Sequence, residues 1–363
     1  MSTLSLHEYH RGLGARFIEV GGAEAAEHYG DWLTEHAALR NTAGVLDLSF
    51  RSRLWVRGSD RQKFLNGQVT NQVAGLHAGE GCYAALTDPK GRMVSDLSIY
   101  CLPDSLLLDF EPGFAEKVRE RLQRYVLGSD VQLADAAQDI GLLSLQGPKS
   151  VEVARVVMRM AELPARPMSL TSCADPELGT FQVANRPRAG TIGFDLFVPQ
   201  VALRPIADRL IQAARTVGGG PCGWQALETA RIEAGLPRFG ADMDETNLPP
   251  EAGLEDRAIS YTKGCYVGQE VIARLQSRGQ VARALRGLRL AEDLPALPVK
   301  GDKLFKESRE VGHITSATRS PAWHANLALG YVRREVNQAG TDLVLRMAAG
   351  ESLARIVELP HWG

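Results

Sequence analysis

The chain has 363 residues, and at roughly 150 residues per domain it is expected to form two or three domains rather than one small module. Hydrophobic residues make up 44% and charged residues 23%, the balance of a folded protein with ample core, which excludes disordered and fibrous classes. Forty-one Lys and Arg against 43 Asp and Glu give a formal charge of -2, so no global field attracts nucleic acid or an anionic membrane, and charge-based recognition is left to local sites.

Residues 24–40 place Tyr29, Trp32, Leu33 and Ala37 on one helical face, and Gly44 opens a short apolar strand over 45–48. Leu54-Trp55-Val56 reads as a second strand, and Ser59-Asp60-Arg61-Gln62 as a capping box ahead of a helix with Phe64 and Leu65. Residues 83–87 run into the turn Asp88-Pro89-Lys90-Gly91 and on into 93–100, a hairpin that 106–110 extends to three strands. Over 115–126 apolar side chains recur at Val118, Leu122 and Val126, which predicts a helix lying on a sheet. The alternation repeats with a strand at 141–145, a helix through Val151, Ala154, Met158 and Ala161, and an alternating strand at 192–198. Helices are then expected over 203–216 and 223–234, the second stopped by Gly235 and Pro237. Beyond about residue 280 helical spacing disappears. Strand-like runs at 285–290, 311–316, 327–332, 343–347 and 353–359, punctuated by Pro and Gly, predict a separate small barrel or sandwich.

The cysteines, Cys82, Cys101, Cys173, Cys222 and Cys265, are odd in number, widely spaced and without a C-x-x-C pair, which suggests neither a disulfide framework nor a zinc site. The start of the chain lacks the apolar core of a secretion signal, and no stretch approaches the ~18 apolar residues of a membrane helix. A soluble, cytoplasmic protein is expected. His7 and His10 are isolated from Cys and clustered carboxylates, so no metal site is expected, and Gly218-Gly219-Gly220-Pro221 lacks the Lys-Ser/Thr of a phosphate loop.

The octet Lys263-Gly264-Cys265-Tyr266-Val267-Gly268-Gln269-Glu270 is the most informative segment. Helical spacing of Val271, Ile272 and Leu275 puts Cys265 just ahead of a helix, where unpaired N–H groups and Lys263 favour a thiolate; the other reading is a small buried hydrophobe. Asp96 is either solvated on an open sheet face or aimed into a polar pocket, and Asp195 reads first as an exposed partner to an apolar strand face. Arg231 has Glu228 at helical spacing. Arg274, Arg278, Arg283, Arg286 and Arg289 follow with no acid among them, as a solvated face or as an anion-binding strip suited to a glutamate tail or an acidic partner. With 6% aromatic residues, base stacking on nucleic acid is not expected.

The motif K-G-C-Y-x-G-Q-E resembles the signature of the YgfZ family, folate-binding relatives of the glycine cleavage T protein, an aminomethyltransferase. Ala230-Arg231-Ile232-Glu233-Ala234-Gly235-Leu236 is similar to the family's L-R-x-E-A-G-L stretch, and Val311-Gly312-His313-Ile314-Thr315-Ser316, Ser320-Pro321 and Leu329-Gly330-Tyr331-Val332 resemble its C-terminal domain. The resemblance implies an α+β fold: two interleaved α/β subdomains (approximately 1–50 with 140–221, and 51–139 with 222–280) form a folate-binding module over 1–280, and a C-terminal β-barrel over 281–363 completes a ring around a folate channel. It implies tetrahydrofolate or a one-carbon derivative as cofactor, Cys265 and Asp96 as catalytic candidates, and Tyr83, Asp96, Asp195, Arg231 and Lys263 as cofactor-binding candidates.

In the T protein a Tyr precedes a G-G-x-x-D-D-L hairpin strand whose second Asp lies beside the reacting nitrogen of folate. Tyr83, Gly91, Asp96 and Leu97 hold those positions, while Arg92 and Ser95 replace the second Gly and the first Asp. The Glu of its G-Y-E or G-F-E is Asp195, a carboxylate able to accept two parallel hydrogen bonds from a pterin's amino-pyrimidine edge. The Tyr seven residues earlier is Arg188. Of the two arginines in G-A-R-D-S-L-R the second is Arg231 and the first is Leu227; Glu111 stands near an Asn.

Two functions follow as expectations. The first is a folate-binding factor of the YgfZ kind, supporting iron-sulfur cluster assembly or repair in client enzymes through Cys265, with iron-sulfur client or assembly proteins as partners besides folate. The second is a folate-dependent aminomethyltransferase in which Asp96 orients or polarises the folate nitrogen. Neither nucleic acid nor a membrane is expected as a partner.

Overall fold

The computed structural model describes residues 2–159, 162–279 and 281–360, the side chain of Arg278 excepted. The chain builds a six-stranded sheet, a five-stranded sheet and a closed six-stranded barrel, with a two-stranded hairpin near the N-terminus. The mixed α and β class with an all-β C-terminal part is as the sequence predicts. In the first sheet the order is Leu170–Asp175, Gly179–Asn185, Gly193–Pro199, Ile140–Gln146, Gly44–Asp47 and Gly220–Pro221. The chain therefore leaves this sheet after Asp47 and rejoins it at Ile140, antiparallel to the strand it left.

Between those visits it lays down the second sheet, in the order Gly81–Thr87, Met93–Cys101, Ser105–Phe110, Ser52–Arg57, Gln132–Asp135. One face is covered by the helix Ala115–Gln123 through Val118 and Leu122. The opposite face meets the first sheet, with Tyr100 edge-on to Phe197 at a 5.3 Å centroid separation. This packing explains a departure from the sequence reading. The strand expected to alternate over 192–198 is buried at both faces, because Phe194, Leu196 and Val198 pack on the helix Gln200–Thr216 while Phe197 packs on the second sheet.

Other differences have local causes. The helix expected over 24–40 begins only at Trp32, capped by the Asp31 side chain, which accepts the Leu33 N–H at 3.0 Å. Ala23–His28 is instead a strand, folded back on Arg16–Val20 across Gly21 and Gly22, whose φ values of 58° and 81° only glycine adopts without strain. The expected capping box does not form: Asp60 is the N-cap of Arg61–Asn66, and Ser59 bonds Asp130 at 2.8 Å. The helix expected to reach Val126 ends at Gln123, and Ala161 lies outside the described residues. Strands Gln132–Asp135, Leu170–Asp175, Gly179–Asn185 and Lys303–Lys306 are additional to the sequence reading.

The barrel closes in the order Arg283–Leu290, Ala325–Arg333, Arg309–Ser320, Lys303–Lys306, Asp342–Met347, Gly350–Val357. It docks on the helix Trp224–Glu233, where Ile232 packs with Leu327, Leu329 and Leu359 and the Thr229 and Thr318 hydroxyls meet at 3.0 Å. A buried polar contact completes the joint. Asp242 accepts the Arg231 guanidinium from that helix and, at 2.6 and 2.7 Å, the Thr315 and Ser316 hydroxyls from the barrel. Burial works to raise the Asp242 carboxyl, but Arg231 and the two hydroxyls outweigh it and hold it below the ordinary carboxylate value.

Asp242→Ala, which leaves Arg231 buried without that partner, is expected to cost about 3 kcal/mol in urea unfolding. A loss below about 1 kcal/mol would show that the joint is apolar packing alone. Since the folded-state carboxyl is depressed, its contribution is present above about pH 4, the unfolded value, and is lost as pH falls through the folded one. Wild type and the variant should therefore converge in acid.

Candidate functional site

A cavity of ≈ 440 Å³ lies where the second sheet, the loop after Gly179–Asn185 and the helix Trp224–Glu233 meet, and Tyr83, Asp96, Arg186, Arg188, Arg231 and Arg257 are on its wall. The hairpin delivers the first two. Asp88 accepts the Lys90 and Arg92 N–H groups at 2.8 and 2.9 Å and so fixes the turn, and pleating then puts Asp96 on the face shared with Ser98, while a bulge turns Val94, expected on that face, to the opposite one with Leu97 and Ile99. The Tyr83 hydroxyl donates to Asp96 Oδ2 at 2.7 Å. Asp96 Oδ1 is buried and has no hydrogen-bond partner among the described residues. Of the two readings of Asp96, the polar pocket holds. Burial and the nearby Glu111 carboxylate raise its pKa above the ordinary value, against the opposing pull of Tyr83, Arg51 and Arg186.

Asp195 is fully buried and does not line the cavity, which corrects its reading as an exposed strand carboxylate. Its oxygens are taken by Arg188 Nε at 2.8 and 3.0 Å and by the Ser144 hydroxyl at 2.8 Å, so the parallel pairing envisaged for a pterin edge is made by Arg188. Arg188 reaches on to Asp109 at 2.7 Å, Asp109 takes Arg51 at 2.9 and 3.1 Å, and Arg51 also binds Glu111. Arg238 joins Glu111 at 3.5 Å to Glu228 at 3.0 Å, and Glu228 holds Arg231, which ends on Asp242. The expected Arg231–Glu228 pair is thus present but is one link in a longer chain, and the Arg231 donors are spent on protein groups. Burial raises Asp109, but Arg51 and Arg188 overcome it and leave the carboxyl well below its usual range.

Two cavity arginines stand outside this chain. Arg186 lies over the Tyr83 ring at 5.2 Å with its buried Nε unpaired, and the Arg257 guanidinium makes no hydrogen bond among the described residues. Both were missed in the sequence, where the unbroken run of arginines drew attention instead. In the structure that run is no strip: Arg283 pairs with Glu251 and Arg289 with Glu292, Arg286 bonds the Asn337 and Leu285 carbonyls, and none of these lines the cavity. The Arg278 side chain lies outside the described residues.

The octet behaves differently from its thiolate reading. Cys265 is exposed, in a loop that ends at the N-cap Gly268 of the helix Gln269–Arg278, and does not line the cavity. This exposure sets aside the reading of that thiol as a small buried hydrophobe. Lys263 is not the thiol's counter-ion. Its ammonium donates to the carbonyls of Asn66, Val69 and Asn71 at 2.6, 2.7 and 2.7 Å, and burial pushes its pKa down to about 8, the Cys82 thiol pulling the other way. Asn71 in turn donates to the Tyr83 and Arg257 carbonyls, so Lys263 acts on the cavity through the loop it clamps. Gly268 has φ 90° and sits so close to the hairpin turn that a Cβ would meet the Asp88 carbonyl oxygen at 2.5 Å. The motif is a strap onto the Tyr83–Asp96 hairpin.

Lys263→Met should strip three carbonyls of their donor, cost about 2 kcal/mol, and speed amide exchange over 66–71. Cys265→Ala should change stability by less than about 0.5 kcal/mol, as expected at an exposed position. The reverse order of these effects in one denaturation series would rule out the strap.

Residues 6–263 match the GCVT N-terminal domain and 283–362 the glycine cleavage T-protein C-terminal barrel domain. The aminomethyltransferase of Symbiobacterium thermophilum is 30% identical over 98% of this chain and 96% of its own, and that of Chlorobium luteolum 29% identical over 99% and 98%. The aminomethyltransferase of Bacillus subtilis is 27% identical over 98% of each chain. A crystal structure of the glycine cleavage system aminomethyltransferase T from Bartonella henselae superposes with a TM-score of 0.89 over 99% of this chain and 97% of that one, at 23% identity, a shared fold. These findings overturn the expected YgfZ assignment and its role in iron-sulfur cluster assembly or repair, because the relatives carry the aminomethyltransferase name. Among the described residues no cluster of His, Cys, Asp and Glu is arranged to hold a metal. No helix among the described residues is long and apolar enough to cross a membrane.

Proposed function

The chain belongs to the glycine cleavage T-protein family, and from that premise we propose that it is a folate-dependent aminomethyltransferase whose acceptor, tetrahydrofolate, occupies the cavity beside Asp96. The observation that carries the reading is the buried, unpaired Oδ1 of Asp96, an acceptor with no donor among the described residues. A cavity of ≈ 440 Å³ suits a ligand of this size.

When bound, tetrahydrofolate would supply the nucleophilic nitrogens for the methylene: two C–N bonds form as that carbon's bonds to the amine and to the carrier's sulfur break, and the two folate N–H protons leave with ammonia and the carrier thiol. Asp96 accepts a hydrogen bond from one of those N–H groups at Oδ1 while Tyr83 holds Oδ2, which fixes the carboxylate's direction. Its raised pKa suits it to carry a proton between nitrogen and leaving amine. Arg188, held by Asp195 and Asp109, lines the cavity at the pterin end, where the family places a tyrosine and a glutamate. Arg231 holds the wall through Glu228 and Asp242, and Lys263 sets the loop behind Tyr83. Ser95 and Leu227, which replace an Asp and an Arg of the family pattern, leave Asp96 as the acid at the reacting nitrogen.

The test is ammonia release from an aminomethylated lipoyl carrier in the presence of tetrahydrofolate. Asp96→Asn, nearly isosteric, should lower the rate by about 10²- to 10⁴-fold with a smaller change in KM. The acid limb of the wild-type rate profile should lie above the usual carboxylate range, in keeping with the raised Asp96 pKa. No release by the wild type, or full activity in Asp96→Asn, would overturn the proposal.

A further inference from the structure

We infer that Arg186 and Arg257 form an anion subsite in the cavity wall that takes a carboxylate of the ligand's glutamate tail, an assignment that rests on the folate reading above. The other cavity guanidinium groups are accounted for: Arg51, Arg188, Arg231 and Arg238 are each bound to carboxylates. Arg186 and Arg257 are not. Both line the same cavity, and burial together with Arg186 acts to lower the Arg257 pKa, with Tyr83 and Asp96 opposing. Two half-buried like charges with no carboxylate bonded to either are costly unless an anion joins them.

The backbones that carry them are tightly held, so the side chains are presented rather than loose. The Arg186 N–H donates to the Gly193 carbonyl at 2.9 Å and its own carbonyl accepts the Gln146 amide at 2.9 Å. Gly193 is required for that arrangement, since a Cβ there would fall 2.0 Å from Gln146 Oε1. On the other side Asn71 Nδ2 binds the Arg257 carbonyl at 3.2 Å and the Thr70 hydroxyl binds the carbonyl of Ala258. The acids nearest in the wall, Asp96 and the exposed Asp256, accept no hydrogen bond from either arginine. Tyr83 lies between the subsite and the reaction centre, with its ring under Arg186 and its hydroxyl on Asp96. A ligand that spans the two would place a neutral or cationic reacting part at Asp96 and an anionic part at the arginines, as an acid at one end and bases at the other require.

The experiment compares tetrahydrofolate with tetrahydropteroate, the same molecule without glutamate, by isothermal titration. Wild type should bind tetrahydrofolate at least about tenfold more tightly. Arg186→Gln and Arg257→Gln should each bring the two affinities within about twofold, with tetrahydropteroate binding unchanged, and Arg257→Lys should keep part of the preference. Relief of like-charge proximity should leave the thermal midpoint of Arg257→Gln equal to or above wild type, which guards against misfolding as the cause. Inorganic phosphate should compete with tetrahydrofolate and not with tetrahydropteroate. Equal wild-type affinities, a preference retained in both Gln variants, or phosphate bound alongside tetrahydrofolate at full affinity would overturn the subsite while leaving the folate reading intact. Failure to bind either pterin would overturn both.

Discussion

The interaction on which the rest of the structure depends is the run of alternating charge Asp195, Arg188, Asp109, Arg51, Glu111, Arg238, Glu228, Arg231, Asp242. It starts in the first sheet, crosses the second, follows the helix Trp224–Glu233 and ends on hydroxyls of the barrel. Taking so many charges out of water is unfavourable unless each finds a partner of opposite sign and its remaining hydrogen bonds. That condition is met when all three bodies are docked in one arrangement. Apolar packing brings the bodies together, as in the Tyr100–Phe197 and Ile232–Leu327 contacts, but apolar faces tolerate sliding. The charges do not, so they fix the register at which the cavity has its shape.

The fold was legible in the sequence wherever periodicity acts within one element. The hairpin through Asp88-Pro89-Lys90-Gly91, the helix Trp224–Glu233 ending before Gly235 and the β-rich tail all follow local rules of turn and cap chemistry. Local rules fail where tertiary contacts decide. Ala23–His28 has helix-favouring alanines and glutamates, yet pairs as a strand because Gly21 and Gly22 turn the chain onto Arg16–Val20. Gly193–Pro199 lost its predicted alternation because a second sheet covers the face that a lone sheet would leave to water.

The site was legible in part. Asp96 and Tyr83 could be found because they sit two pleats apart on strands that the turn sequence itself announces. Arg186 and Arg257 could not, since nothing in single arginines 71 positions apart indicates that both lack a carboxylate; that follows from where every other acid goes. The octet held a structural role that its composition did not announce. Its unusual composition was read as reactivity at Cys265, whereas Lys263, Val267 and Gly268 are what the fold uses: a lysine for three carbonyls, a carbonyl for the Thr87 hydroxyl at 2.6 Å and a glycine for close approach to the turn. A rare motif can mark a demanding junction as readily as a reagent, and the two are told apart by what its donors touch.

The Asp242 joint has a consequence for how the protein comes to exist in the cell. Its partners lie at Arg231 and at Thr315 and Ser316, so a growing chain that has not yet released the strand Arg309–Ser320 from the ribosome holds a buried carboxylate whose hydroxyl donors are still missing. The first two sheets can form during synthesis, but the Arg231–Asp242 link meets its barrel hydroxyls only when translation is nearly over. A chain cut short before Thr315 therefore keeps every residue of the cavity wall, all of them between Leu48 and Arg257, yet lacks the hydroxyls that tie the helix Trp224–Glu233 to the barrel.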